Sequence, residues 1–162
     1  MRYLLRTTSL AAIVMVGAIK SALAVSLLPA LTITTALSAT GAPAFKFVQT
    51  PPRDVAVQAN FVYGSGGTTV DAYLQTTFDN GLTWCDIANF HFTTSSAREA
   101  INLSSLTPVT TQHACTDGSM TANTAADGLL GSQLRVKYAS TGTYAGTSLQ
   151  IDVATTPLQS AP

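Results

Sequence analysis

Apolar and polar residues alternate one for one along much of this chain, and the alternation marks strands. In "DVAVQANFVY" (54–63), Val55, Val57, Ala59, Phe61 and Tyr63 fall on one face, with Ala56, Gln58, Asn60 and Val62 opposite. That is the two-residue period of a half-buried strand. Further strands are predicted at "FKFVQT" (45–50), "TTVDAYLQTTF" (68–78), "TWCDIANFHF" (83–92), "EAINLS" (99–104), "SQLRVKYAS" (132–140) and "TSLQIDVA" (147–154). In the last two, Leu134, Val136 and Tyr138, then Leu149, Ile151 and Val153, point inward. Gly64-Ser65-Gly66-Gly67 supplies the positive dihedrals of a tight reversal and Asp79-Asn80-Gly81 turns the chain again, so residues 54–92 are expected as a three-stranded antiparallel meander. "TGTYAG" (141–146) forms the last turn. Residues 105–131, with Pro108, Gly118, Gly128 and Gly131, make a connection longer than most. They read either as a contacting or outward-displayed region or as a plain surface loop.

Upstream of residue 54 the pattern changes. "VSLLPALTITTALSATGAPA" (25–44) resists helix through Pro29, the Thr-rich run and the Gly41/Pro43 pair, and is expected as a strand or an extended arm. Residues 1–24 place Arg2 and Arg6 before an apolar run from Leu10 to Ile19 and end in Ala22-Leu23-Ala24. That is the outline of a secretory signal with cleavage near Ala24, or else an N-terminal helical segment. The run is too short for a membrane span.

Several short strands separated by turn chemistry, with no credible long helix after residue 25, predict an all-β fold: an antiparallel β-sandwich of jelly-roll or immunoglobulin-like type. The expected layout is a signal-like or helical segment at 1–24, an extended arm or linker at 25–52, the sandwich at 53–156 and a tail at 157–162.

Composition removes several functions. Charged residues are 10% of the chain, eight basic and eight acidic, so a nucleic-acid partner is not expected. A surface so poor in charge suits contact with other protein. Cys85 and Cys115 allow one disulfide or stand as two unrelated thiols, the latter being the first expectation. With His91 and His113 they form a numerical Cys2His2 set, yet Cys85-x5-His91 and His113-x-Cys115 lack zinc-finger spacing. No metal or cofactor is expected. Nor is catalysis: Cys85 and His91 are roughly 20 Å apart on an extended strand at about 3.3 Å per residue. His113 and Cys115 have no oxyanion turn or acidic partner beside them. Glu99 is the chain's one glutamate and is expected in a surface ion pair with Arg98, which leaves no carboxyl pair of glycosidase type. The Gly64–Gly67 run lacks the lysine of a phosphate loop.

"TFDNGLTW" (77–84) matches the Asp-box pattern S/T-x-D-x-G-x-T-W at every specified position. Asp79 can accept hydrogen bonds from its own turn, Gly81 can take dihedrals closed to side chains, Thr83 completes the pattern and Trp84 can cover the hairpin. In sialidases such boxes lie away from the catalytic centre, so the motif is read as a structural turn. More broadly, residues 60–111 and 127–153, with the "TFDNGLTWCDIA" hairpin and the later "GSQLRVKYASTGTY" strand and turn, resemble small structural proteins of tailed bacteriophages. That resemblance implies a β-sandwich virion component, a capsid decoration protein or a neck or tail accessory protein. It also implies a homo-oligomer contacting the major capsid protein or other virion proteins, with extended arms such as 25–50 adding strands to neighbouring subunits. The alternative is an exported or periplasmic sandwich binding glycan or another surface ligand, with Tyr63, Tyr73 or Tyr144 as stacking platforms.

Overall fold

The computed structural model describes residues 23–41, 45–47 and 54–155. Of the signal-like segment at 1–24, residues 1–22 lie outside the described residues, as do the strand reading of 48–50 and the tail at 157–162, while residues 23 and 24 begin a strand. Among the described residues eleven strands follow in chain order: β1 (Leu23–Ile33), β2 (Leu37–Thr40), β3 (Phe45–Lys46), β4 (Asp54–Val62), β5 (Ser65–Gly66), β6 (Thr69–Thr77), β7 (Cys85–Phe92), β8 (Ala97–Ser104), β9 (Gln133–Thr141), β10 (Tyr144–Ala145) and β11 (Thr147–Thr155). The chain is all-β. Among the described residues no helix is long and apolar enough to cross a membrane.

Two antiparallel sheets share one core. The first has the order β1-β11-β4-β8, the second β2-β9-β6-β7, with β3 also pairing to β9. The pairs β1–β11, β2–β9, β4–β8 and β6–β7 nest the first strand with the last and so inward. Successive pairs fall in alternate sheets, as when one long hairpin ribbon is rolled up. That order is the jelly roll, and it decides between the two sandwich types left open by the pattern. Core residues come from both sheets: Val55, Val57, Ala59 and Phe61 of β4 with Leu149, Ile151 and Val153 of β11, against Val70, Ala72 and Leu74 of β6 and Phe90 and Phe92 of β7. Phe61 and Phe92 stack across the interior with ring centroids 4.9 Å apart.

Three expectations are corrected. Of the two readings of 25–44, strand holds for the described residues and arm does not: β1 pairs with β11 and β2 with β9 of the same chain, and Leu27, Leu28 and Ile33 are buried in the core. Register shifts between Ser26 and Leu28 and between Leu28 and Leu31 break the alternation that would have revealed β1. The meander is also wrong, because β4 and β6 lie in different sheets. Gly64–Gly67 is a crossover between layers, and "TGTYAG" is another; the two pair with each other as β5 and β10. Glycine is required at Gly67, with φ of 55°, because a Cβ there would collide with the Tyr144 ring. Finally, no Arg98–Glu99 ion pair forms: neighbours on a strand point to opposite faces, and here Arg98 is exposed and Glu99 half-buried.

Truncating Phe61 to alanine removes a fully buried ring and its partner in stacking. Urea unfolding of Phe61→Ala should show a loss of about 3–5 kcal/mol.

Candidate functional site

An ordinary sandwich strand hides one face and wets the other. Strands β6 and β7 hide both. Their outer faces carry Gln75, Thr77, Asp86 and Asn89, all buried, and burying such groups is costly unless each finds a hydrogen-bond partner. For Gln75, Asp86 and the Asn89 N–H₂ group, partners come from the long connection between β8 and β9, whereas Thr77 Oγ1 meets Asp79 and Gly81 in its own turn and the buried Asn89 Oδ1 has no hydrogen-bond partner among the described residues. Asp86 N–H donates to Thr116 O at 2.9 Å, Asn89 N–H to Thr124 O at 2.9 Å, and Ala126 N–H to Ile87 O at 2.8 Å. The loop thus pairs along the free edge of β7, with Ala88 bridged to Ala125.

Asp86 is the hub. Its side chain is fully buried, and its carboxylate accepts from the backbone N–H groups of Gly118 (2.8 Å), Ser119 (3.1 Å) and Met120 (3.3 Å), from Thr116 Oγ1 (2.7 Å) and from Gln75 Nε2 (2.6 Å). Gly118 sits at a φ of 86°, and its missing side chain leaves room for the Lys137 stem. A concave run of N–H groups closing on one carboxylate satisfies a charge that burial would otherwise penalise.

From Asp86 the network runs outward. Gln75 also donates to Asp117 Oδ1 at 2.8 Å and accepts from Arg135 Nε at 2.6 Å. Arg135 lies over the Trp84 ring, 4.2 Å from its centroid, a cation–π contact. Burial draws the Arg135 guanidinium below its ordinary value, with Asp117 and Asp86 pulling the other way. Hydrogen bonds from Gln75 and then Lys137 hold Asp117 below the usual carboxylate range. Burial, with the nearby Asp71 and Asp86 charges, raises Tyr73. Farther along, His91 Nδ1 donates to Asp71 Oδ1 at 2.8 Å, and Asn89 Nδ2 donates to Asp71 and to Met120 O. At the base of the loop, Ser104 N–H and Thr107 Oγ1 each donate to Asp127 at 2.6 Å and lower it.

The Asp-box residues meet at the β6–β7 turn. Asp79 Oδ1 accepts from Thr83 N–H at 2.9 Å and Thr77 Oγ1 at 2.7 Å, and Oδ2 accepts from Thr83 Oγ1 at 2.6 Å. Those bonds, Thr83 first, lower Asp79 to about 2. Gly81 has a φ of 96°, and Trp84 Nε1 donates to Gly81 O at 3.2 Å. Trp84 therefore serves two masters, the turn and Arg135. A disulfide joins Cys85 to Cys115, correcting the expectation of two unrelated thiols. It ties the strand behind Trp84 to the loop just ahead of Thr116. Because the cysteines are joined, neither offers a thiolate to His91 or His113. Among the described residues no group of three His, Cys, Asp or Glu could hold a metal ion.

Glu99 and His113 do not converge. His113 Nε2 donates to Asp86 O at 3.0 Å and lines a groove with Phe78, Val109 and Leu129. Glu99 lines a second groove between β7 and β8. Tyr73 and Tyr144 are buried, and Tyr63 is half-buried with its hydroxyl donating to Gly66 O at 2.9 Å, so none is a free stacking platform. Sequence reasoning missed Asp86, Gln75 and Arg135. Their one signal was polar residues at alternate positions, which normally means solvent. Large apolar side chains stay exposed in the hairpin turn, Phe78 by 62% and Leu82 by 86%, and in the loop, Leu106 by 56% and Val109 by 45%, besides Leu37 and Val62 elsewhere.

Asp86→Asn keeps the shape but turns an amide N–H₂ towards groups that only donate, and should lower stability in urea unfolding by about 2–4 kcal/mol. Reducing the Cys85–Cys115 disulfide, which spans a sequence separation of 30, should remove roughly 3.5 kcal/mol by loop-closure entropy. The Asp79 contribution is fully present above its ordinary value of 3.8 and is lost as pH falls through about 2. Melting temperatures recorded through that window should fall more for the unaltered chain than for Asp79→Asn. Comparison with protein families, with curated protein sequences and with solved structures finds no match to this chain.

Proposed function

We propose that the chain is a non-enzymatic structural protein of a bacteriophage virion. The role that fits best is a capsid decoration protein on the head, with a neck or tail accessory protein next. The carrying observation is the pair of exposed apolar side chains Phe78 and Val109, which line one groove, with Leu82 exposed in the same hairpin turn as Phe78. Large apolar side chains gathered on a rigid body suit burial against protein. Phe78 and Val109 share one groove of about 370 Å³, so they offer a shaped surface rather than scattered contacts. The resemblance of residues 60–111 and 127–153 to phage structural proteins points the same way. Its partners would be the major capsid protein or other virion proteins, with further copies of the chain.

The disulfide is equally compatible with a second reading, an exported module binding glycan or another surface ligand. Disulfides persist in oxidising surroundings, which include both secreted proteins and virion surfaces. A mature N-terminus near Val25, read by mass spectrometry, would select export.

Mass spectrometry of purified particles should find the chain at about one copy per major capsid subunit for decoration, or at a dozen copies or fewer for neck or tail. Its absence from particles would reject the virion reading. On the particle-bound form, Leu82→Asp should reduce occupancy at least roughly tenfold, the loss of more than about 1.4 kcal/mol expected when a central apolar contact is charged.

A further inference from the structure

A sheet edge with free main-chain groups is a template for another strand, and proteins usually blunt it. Three of the four edges here are blunted. β1 carries Pro29 and two register shifts. β2 and β3 are four and two residues long. The long loop covers β7. β8 differs: it pairs with β4 through eight residues without a register shift, and contains neither proline nor lysine.

Hydrogen-bond directions show which groups β8 leaves open. Ser104 N–H points away from β4 to Asp127, and Tyr63 N–H, following β4, points towards the β8 side at Ser96 Oγ. By the alternation of an antiparallel ladder, Ala97, Glu99, Ile101 and Leu103 bond to β4, while the main chain of Arg98, Ala100 and Asn102 faces outward. Beside that edge runs a groove of about 390 Å³ between β8 and the loop-covered β7. Ala88, Phe90 and Ile101 supply its apolar lining, and loop residues 123–125 border it. Glu99 lines it too, half-buried, and no hydrogen bond or ion pair to its carboxylate is present among the described residues.

We propose that the β8 edge takes up an extended segment of a different protein as the next strand of the first sheet. A lysine or arginine of that segment is set against Glu99. Main-chain bonds to Arg98, Ala100 and Asn102 supply the affinity, and the groove supplies the selection. The charge of Glu99 decides the occupant. A second copy adding here would bring its own Glu99 to the same groove, whereas a cation relieves a carboxylate that is otherwise unpaired. The inference deepens the reading of the chain as a docking body and gives its partner a chemistry.

The test uses the full, isotopically labelled chain and two synthetic ten-residue peptides of alternating Val and Thr, one with a central Lys and one with Glu in its place. The Lys peptide should slow exchange of the Arg98, Ala100 and Asn102 amides and bind about tenfold more tightly than the Glu peptide, as opposite against like cross-strand charges require. Glu99→Gln should erase that preference without abolishing binding. Ala100→Pro removes an outward N–H and no bond to β4, and should abolish binding with the amides of β4 unchanged. Equal binding of the two peptides, or protection at other amides, overturns the proposal. So does self-association of the Glu99→Gln chain with no peptide capture, which would make Glu99 a guard against self-pairing. Absence of the chain from particles would reject the virion role alone and leave this result standing.

Discussion

The buried Asp86 carboxylate is the constraint on which the rest depends. Placed on the outer face of β7 with no lysine or arginine in direct contact, it has to be met by hydrogen-bond donors. The donors nearest to hand are the N–H groups of Gly118, Ser119 and Met120 and the Thr116 hydroxyl. A connection that would otherwise wander over solvent is thereby made part of the body. The disulfide and the Asp127 contacts fasten the same segment at other points, and Leu129 and Leu130 pack on the core at its C-terminal end.

That arrangement has consequences for surfaces. By lying along β7, the loop removes one sheet edge from contact with other chains and leaves β8 as the regular edge. Through Gln75, Arg135 and Trp84 it is also coupled to the Asp-box hairpin. Hairpin tip and loop base thus form a stiff platform from which Phe78, Leu82 and Val109 project. A surface fixed in advance loses little conformational entropy on docking, which suits a module that works by fitting against protein.

Much of the fold was legible. In β4, β9 and β11 the period-two pattern named the buried residues, because these strands hide one face and wet the other, and the Asp-box motif named its turn. What stayed hidden has physical causes. The bulges of β1 broke its alternation. Glycine runs mark a change of direction equally well whether the chain returns to its own sheet or crosses to the opposite one, so the crossover at Gly64–Gly67 read as a hairpin. Gln75 and Asp86 looked solvated because polarity signals exposure only where nothing covers the strand, and the covering loop has no periodicity of its own. The Cys85–Cys115 pairing depends on that same loop path. Nothing local in the sequence shows that Glu99 would face a groove or that Phe78 and Val109 would share one.

Native-state hydrogen exchange at the Gly118, Ser119 and Met120 amides tests the central claim most directly. If Asp86 makes the loop part of the body, these three amides should exchange only through openings nearly as costly as those exposing the β6 and β9 amides, despite lying in a connection without regular structure. Exchange near the rate of an unprotected chain, with β6 and β9 still protected, would mean that the loop is a loose covering and would contradict the account.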